Sequence, residues 1–310
     1  MAYLSPDDID FAAYERDTEC KVKVRPASVF AEELDAEFTP RTTTRKSIMW
    51  STKLRNAIEF RPGEVSVWAG FNGHRKSMFT GQVALDLCQQ RERTLVMSLE
   101  MPPRKTLARM AMQACASDLP TYERRREFMR WTDDRLWLFD HIGRLVPIKC
   151  MAVCRYFREQ LEGRHVFIDS FMKVVQSEES MDEQKQMVGD LCDLAKETGL
   201  HLHLVAHCRK PNGGGEDKPP TKYDIKGSGA ISDQSHNVLM VWENKAKRAE
   251  AEKSQPRPEV LALPDGIVSI EKQRNGSVEG KFGLWFDSRS LRFVDSEASP
   301  VEPYPMWSDE

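Results

Sequence analysis

Val65-Ser-Val-Trp-Ala-Gly70-Phe-Asn-Gly73-His-Arg75-Lys76-Ser77 is the stretch on which the reading of this chain turns. An apolar strand candidate, residues 64–69, runs into a turn carrying two glycines. A helical pattern, Met78–Gln90, opens directly behind it. A glycine, four residues, then Gly-Lys followed by Ser or Thr is the pattern of a phosphate-binding loop. In such a loop the backbone N–H groups of Gly70, Asn72, Gly73, His74 and Arg75, with the helix N-terminus, would surround an anion. Lys76 would reach the β- and γ-phosphates of ATP, and the Ser77 hydroxyl would ligate Mg²⁺. One position departs: Arg75 stands where the pattern has its second glycine. Glycine is favoured where φ is positive or where backbone meets phosphate closely, and Arg meets neither demand cheaply. By itself the segment also suits a glycine-containing turn with a fortuitous Lys-Ser.

Two further strands end in acids. His165-Val-Phe-Ile-Asp169 has the layout in which a carboxylate holds the Mg²⁺ shell. Its plain alternative is a buried strand with a capping Asp. Thr94-Leu-Val-Met-Ser-Leu-Glu100 places a carboxylate where it would orient and deprotonate an attacking water, or where it is simply a surface residue at a strand end. All three features fall at the carboxyl edge of one sheet, where open α/β folds bind ligands.

Outward from these motifs, strand candidates continue at residues 135–139, 201–206, 237–242 and 267–272. Helices are expected at residues 104–116, 148–161 and 182–198. The alternation predicts an α/β fold, a mainly parallel sheet flanked by helices. Residues 269–286, two strand-like runs around Asn275-Gly276, predict a C-terminal β-hairpin. Residues 244–258 read either as a solvated helix or as disorder, and 211–220 as a flexible loop. Arg124–Arg126, Arg130 and Arg135 read as a solvated helix face. His201 and His203 share a strand face ahead of His207 and Cys208, but no second cluster with zinc spacing accompanies them.

Composition sets the bounds. The chain has 310 residues, 30 % of them charged and 40 % hydrophobic, which suits a folded domain and excludes a wholly disordered one. No apolar run reaches about 18 residues and no basic-then-apolar leader opens the chain. A cytoplasmic protein, bacterial or in a phage-infected host, without membrane partners is expected. Seven cysteines without a Cys-x-x-Cys pair read as reduced thiols. With a net charge of −3, any nucleic-acid contact must come from a local patch.

Ala69–Ser77, Ser98-Leu-Glu-Met-Pro102, Val166–Ser170, Val205-Ala-His-Cys-Arg-Lys-Pro211 and Lys272-Gln-Arg-Asn-Gly276, in this order, resemble the DnaB-type hexameric replicative helicases. Phage and mitochondrial ring helicases with the same RecA-like core are similar. The resemblance spans residues 50–294 and implies a RecA-like P-loop ATPase with ATP and Mg²⁺ as cofactors. It makes Lys76 and Ser77 the P-loop pair, Asp169 the second Mg²⁺ residue, Glu100 the catalytic glutamate and His207 the γ-phosphate sensor. Lys272 and Arg274 match the pair that reaches a neighbouring subunit's ATP site, Arg274 being the arginine finger. A finger supplied in trans implies a ring homo-oligomer, by family a hexamer.

The basic residues Arg209, Lys210, Lys218, Lys222 and Lys226, with Lys173 after the Asp169 strand, are then candidates for single-stranded DNA contact. Residues 1–49 would hold a linker helix, near 27–38, that grips the adjacent protomer, followed by a linker at 39–46. Residues 295–310 would form an acidic flexible tail that recruits primase, polymerase or a helicase loader, or merely solubilises. The expected function is an ATP-driven helicase moving 5′→3′ on single-stranded DNA, without a helical collar or primase module of its own. The rivals are a RecA- or RadA-like recombination ATPase and a P-loop subunit impaired by Arg75.

Overall fold

The computed structural model describes residues 3–4, 10–14, 27–31, 46–175, 177, 179–210 and 215–306. The expected linker helix lies outside them beyond residue 31, its described start forming a 3₁₀ turn at Ala27–Phe30. The linker to residue 45, Pro211–Gly214 and the final residues 307–310 lie outside as well.

Strand β1 is Tyr3–Leu4, β2 Val65–Gly70, β3 Thr94–Ser98, β4 Leu136–Phe139 and β5 His165–Asp169. Then come β6 His201–His207, β7 Asn237–Glu243, β8 Gly266–Gln273, β9 Gly280–Asp287 and β10 Arg292–Val294. They form one sheet in the order β1-β4-β3-β5-β6-β2-β7-β8-β9-β10. Every pair from β1 to β7 is parallel, and the pairs from β7 to β10 are antiparallel. The expected RecA-like architecture and its C-terminal hairpin are both present.

The parallel strands are apolar throughout because both of their faces are covered. Val67, Met97, Ile168 and Leu204 face one core with helices Pro147–Leu161 and Met181–Thr198. Trp68, Val96, Phe167 and Val205 face the other, with helices Lys76–Gln89, Pro103–Cys115 and Tyr122–Trp131. Arg125, Arg126 and Arg130 of that last helix are exposed, while its Phe128 and Trp131 are buried. The six described cysteines are free and buried. No described helix is long and apolar enough to cross a membrane.

One open reading is decided and one expectation needs correction. Residues 244–258 contain a helix, Lys245–Ala251, seated by ion pairs rather than by apolar contacts. Buried Lys247 lies 2.9 Å from Asp265, and buried Glu250 is gripped by Arg257 and Lys253. Residues 295–306, expected as a flexible tail, lie along the domain. Tyr304 is buried, stacks on Trp131 and donates its backbone N–H to Ala114, while Asp295 accepts from Ser51 and Thr52. An aromatic with a hydrophobic groove available docks there despite acidic neighbours, because burying a large side chain is worth roughly 1.5–3 kcal/mol.

Candidate nucleotide site

The loop after β2 is shaped by backbone demands. A Cβ on Gly70 would sit 2.2 Å from the Val241 carbonyl oxygen, so only glycine fits. Gly73 has φ +76°. Arg75, at the N-cap of helix Lys76–Gln89, has φ 60° and ψ 21° and gives no side-chain cap. Helices Tyr122–Trp131 and Met181–Thr198 are capped by Thr121 and Ser180 instead. The N–H groups that open the P-loop helix are therefore left for an anion.

A left-handed backbone costs a non-glycine residue about 1–2 kcal/mol. Contacts of the Arg75 side chain offset that cost. Its guanidinium pairs with Glu243 at 2.9 Å and lies 3.7 Å from the ring centroid of Phe286. Arg75 is thus accommodated in the conformation that a glycine would take.

Around the loop, the parallel order brings the carboxyl ends of β3, β5, β6 and β2 side by side. Glu100, Asp169, His207 and the Lys76-Ser77 pair, separated widely in sequence, meet there. Lys76 is 5 % exposed and its Nζ donates to the Gly70 and Phe71 carbonyls at 3.0 and 2.8 Å. Burial lowers its pKa, opposed chiefly by Asp169. Ser77 Oγ donates to Asp169 Oδ2 at 2.5 Å. Burial raises the Asp169 carboxyl, and the Ser77 hydrogen bond opposes the shift.

Glu100 Oε1 accepts from Ser170 Oγ at 2.8 Å and lies 3.8 Å from His207 Nε2. The His207 side chain, ahead of Ser170, holds the Glu100 carboxyl down to about 2, against the opposing effect of burial. It is therefore ionised at any physiological pH. His207 Nδ1 is buried without a hydrogen-bond partner among the described residues. A hydroxyl and a carboxylate in contact form a hard-oxygen pair of the kind Mg²⁺ takes, together with phosphate oxygens. The residues fit an Mg²⁺-nucleotide.

Lys272 and Arg274 are not part of this constellation. The register sets Lys272 opposite Val238, near the start of β7, while the P-loop follows the end of β2. Val238 lies beside Val67, so three residues of β2, roughly 10 Å at about 3.3 Å per residue, separate the Lys272 backbone from the level of Gly70, and its side chain points further away. Lys272 Nζ donates to the carbonyls of Ser232, Asp233 and Ser235, and Arg274 Nη2 to that of Asp233, all at 2.8–2.9 Å.

The basic segment leaves directly from His207. Its base is closed by a Cys208–Ile225 bridge and by Lys226 N–H donating to the His207 carbonyl at 2.8 Å. Arg209, Lys210, Lys218 and Lys226 are exposed, whereas Lys222 is half-buried and donates to the Glu271 carbonyl. Lys173 is half-buried in the 3₁₀ turn after β5. Glu216 ties this segment back to the P-loop. Its carboxylate meets His74 Nε2 at 2.8 Å and Lys245 Nζ at 2.6 Å.

Sequence reading missed Ser170, Glu216, Glu243 and Phe286. A signal existed for Glu243, an acid ending a strand as Asp169 does. None existed for Phe286. Nor did one exist for Arg109, which lines a pocket beside Ser77 and Asp169. His201 and His203 lie in the core, bonded to Ser66, the Arg61 carbonyl, Trp68 and His165.

A sequence model of the DnaB-like helicase C-terminal domain matches residues 52–295. The chain belongs to that family. Among solved structures, the chain is similar to the ATPase domain of G40P, with a TM-score of 0.71 at 16 % identity. That match covers 87 % of this chain and 98 % of the other. It is also similar to a DnaB-like replicative helicase described with its interactions with primase, with a TM-score of 0.72 at 16 % identity. There the match covers 87 % of this chain and 68 % of the other.

Proposed function

We propose that this chain is the motor of a replicative DNA helicase, hydrolysing ATP to move along single-stranded DNA and part the duplex. One observation carries the reading. Lys76, Ser77, Glu100, Asp169 and His207 converge at one sheet edge, while Lys272 and Arg274 stand at the other.

Each residue then has a task that its surroundings allow. Lys76 leaves the Gly70 and Phe71 carbonyls to neutralise the β- and γ-phosphates, as its burial in a low-dielectric pocket rewards. Ser77 and Asp169 would hold Mg²⁺, which would supply positive charge to the phosphates. Glu100, kept ionised beside His207 and Ser170, orients the attacking water and accepts its proton. His207 touches Glu100 on one side and anchors the basic segment on the other, so it relays the state of the site to that segment.

Lys272 and Arg274 cannot reach the site of their own chain across the sheet. They act on a second copy, in a head-to-tail ring, as a hexamer. An arginine finger of this kind is worth about 10³–10⁵ in rate in GTPase systems. Arg209, Lys210, Lys218, Lys222, Lys226 and Lys173 track the DNA backbone in the channel, with 5′→3′ polarity. Exposed Glu297 and Glu302 offer an acidic surface to a primase, polymerase or loader in the cytoplasm. The rival reading, a P-loop disabled by Arg75, is disfavoured because Glu243 and Phe286 accommodate that residue. No particular contact favours a recombination ATPase.

The test is ATP turnover by the purified chain with and without single-stranded DNA, beside Lys76→Ala, and unwinding of forks with a 5′ or a 3′ loading tail. DNA-stimulated turnover lost in Lys76→Ala, with unwinding from the 5′ tail, is expected. Turnover without unwinding, but with strand exchange, would move the chain to the recombination ATPases.

A further inference from the structure

We propose that Arg75 is a positioning residue for the nucleotide, fastening the phosphate loop to the ends of β7 and β9 by its side chain. The inference rests on the reading of this edge as a nucleotide site. Arg75 immediately precedes Lys76 and Ser77, so its backbone sets the direction in which both leave the loop and the helix begins.

What holds that backbone is specific. The Arg75 guanidinium lies 2.9 Å from Glu243 Oε1 and 3.7 Å from the centre of the Phe286 ring. A planar cation between a carboxylate and an aromatic face is fixed in both distance and tilt. Glu243 is itself immobilised: it is 3 % exposed, and Arg248 reaches the same oxygen at 2.7 Å. Phe286 packs edge-on against Phe293.

The preceding loop residue is anchored on the same strand end. His74 is fully buried, and its Nδ1 accepts the backbone N–H of Glu243 at 3.0 Å. Residues 74 and 75 therefore both hang on Glu243, one through its N–H and one through its carboxylate. The Arg75 guanidinium is engaged by Glu243, which it shares with Arg248, and this leaves the phosphate charge to Lys76 and the helix N–H groups. A glycine here would reach the same φ without strain, but with nothing to hold it there.

A loop held in its binding geometry before the ligand arrives improves binding of substrate and transition state alike, and so lowers KM more than it raises kcat. The experiment uses the full chain and reads binding of a fluorescent ADP analogue with Mg²⁺, alongside KM and kcat for ATP. The variants are Arg75→Gly, Arg75→Lys, Glu243→Gln and Phe286→Leu, with thermal melting as a check on folding. Phe286→Leu keeps apolar packing and removes only the π face, so it stays informative if Glu243→Gln folds poorly.

Arg75→Gly, Glu243→Gln and Phe286→Leu are each expected to weaken ADP binding by roughly 3- to 30-fold, with kcat within about twofold of the parent. Arg75→Lys, which keeps charge without the plane, is expected to fall between. ADP binding in Arg75→Gly as tight as in the parent would overturn the proposal. So would a fall in kcat for Arg75→Gly with Glu243→Gln and Phe286→Leu silent, since Arg75 would then act on the phosphate itself. In both cases parent binding that is lost in Lys76→Ala leaves the helicase reading standing. A parent chain that binds no nucleotide would remove that reading, and this proposal with it.

Discussion

The two edges of the parallel sheet carry different chemistry. At the carboxyl edge stand Lys76, Glu100 and Asp169, charged groups with partners that a ligand can displace. At the amino edge stand His165 and His201, the first residues of β5 and β6, with His203 two places further in. All three imidazoles are buried. Trp68 Nε1 donates to His203 Nδ1, so His203 donates from Nε2 to His165 Nδ1, and His165 donates from Nε2 to Ser47. His201 donates from Nδ1 to the Arg61 carbonyl and accepts from Ser66 at Nε2. Each ring has one donor and one acceptor nitrogen in use, which is the neutral form. Buried polar groups that complete one another stabilise the fold, whereas those left exchangeable bind and react. Lys272 and Arg274 also lie on the amino side, where they donate to backbone carbonyls.

The largest expected effect breaks or keeps this division. Lys76→Ala and Arg274→Ala should each lower DNA-stimulated ATP turnover on the order of 10³-fold. Mixing the two variants should restore part of it, because some interfaces then join an intact loop to an intact finger. Steady-state turnover across mixing ratios reads this, and a silent Arg274→Ala would show that the carboxyl edge suffices alone.

Acid should separate the edges next. Burial pushes the pKa of His201 down to about 4, and those of His165 and His203 well down too. The folded state thus binds fewer protons than the unfolded chain below about pH 6.5. Stability is full above that pH and drains as pH falls towards 4, by something on the order of 3 kcal/mol for His201 alone. Urea midpoints at pH 7.5, 6 and 5 should fall in that order. His201→Gln, which still hydrogen-bonds but takes no proton, should flatten the trend. Glu100 stays ionised over this whole range.

A smaller effect concerns Glu100 itself. His207→Ala removes the main influence holding its carboxyl near 2, so that pKa rises towards the ordinary carboxylate range. The acid limb of kcat should move to higher pH in that variant, and an unmoved limb would detach His207 from Glu100. The smallest concerns neither edge: Tyr304 Oη is buried without a partner among the described residues. Tyr304→Phe should leave the melting temperature within a degree or two, and Tyr304→Ala should lower it by several degrees.

Much of this was legible in the chain. Strands buried on both faces must be apolar along their whole length, so β2, β3, β5, β6 and β7 announce themselves within a residue or two. Glu100 and Asp169 each break such a run at its end, which is where parallel sheets bind ligands. Residues 244–258 were less legible because their helix is seated by buried ion pairs, and a polar composition gives no sign of pairing. The docking of residues 295–306 was hidden for a related reason, since Tyr304 finds Trp131 and Ala114 far back in the chain.

Local order along the chain was enough to predict the α/β layout and the strands at whose ends Gly70, Glu100 and Asp169 stand, because each depends on neighbours in sequence. Tertiary structure alone decided which groups meet across it. It joined Arg75 to Glu243 and Phe286, and His74 to Glu216 across 142 positions. It also set Lys272 and Arg274 away from the site they resemble serving. Contacts between distant segments depend on strand order and on side-chain reach, and neither is written in the spacing of residues along one strand.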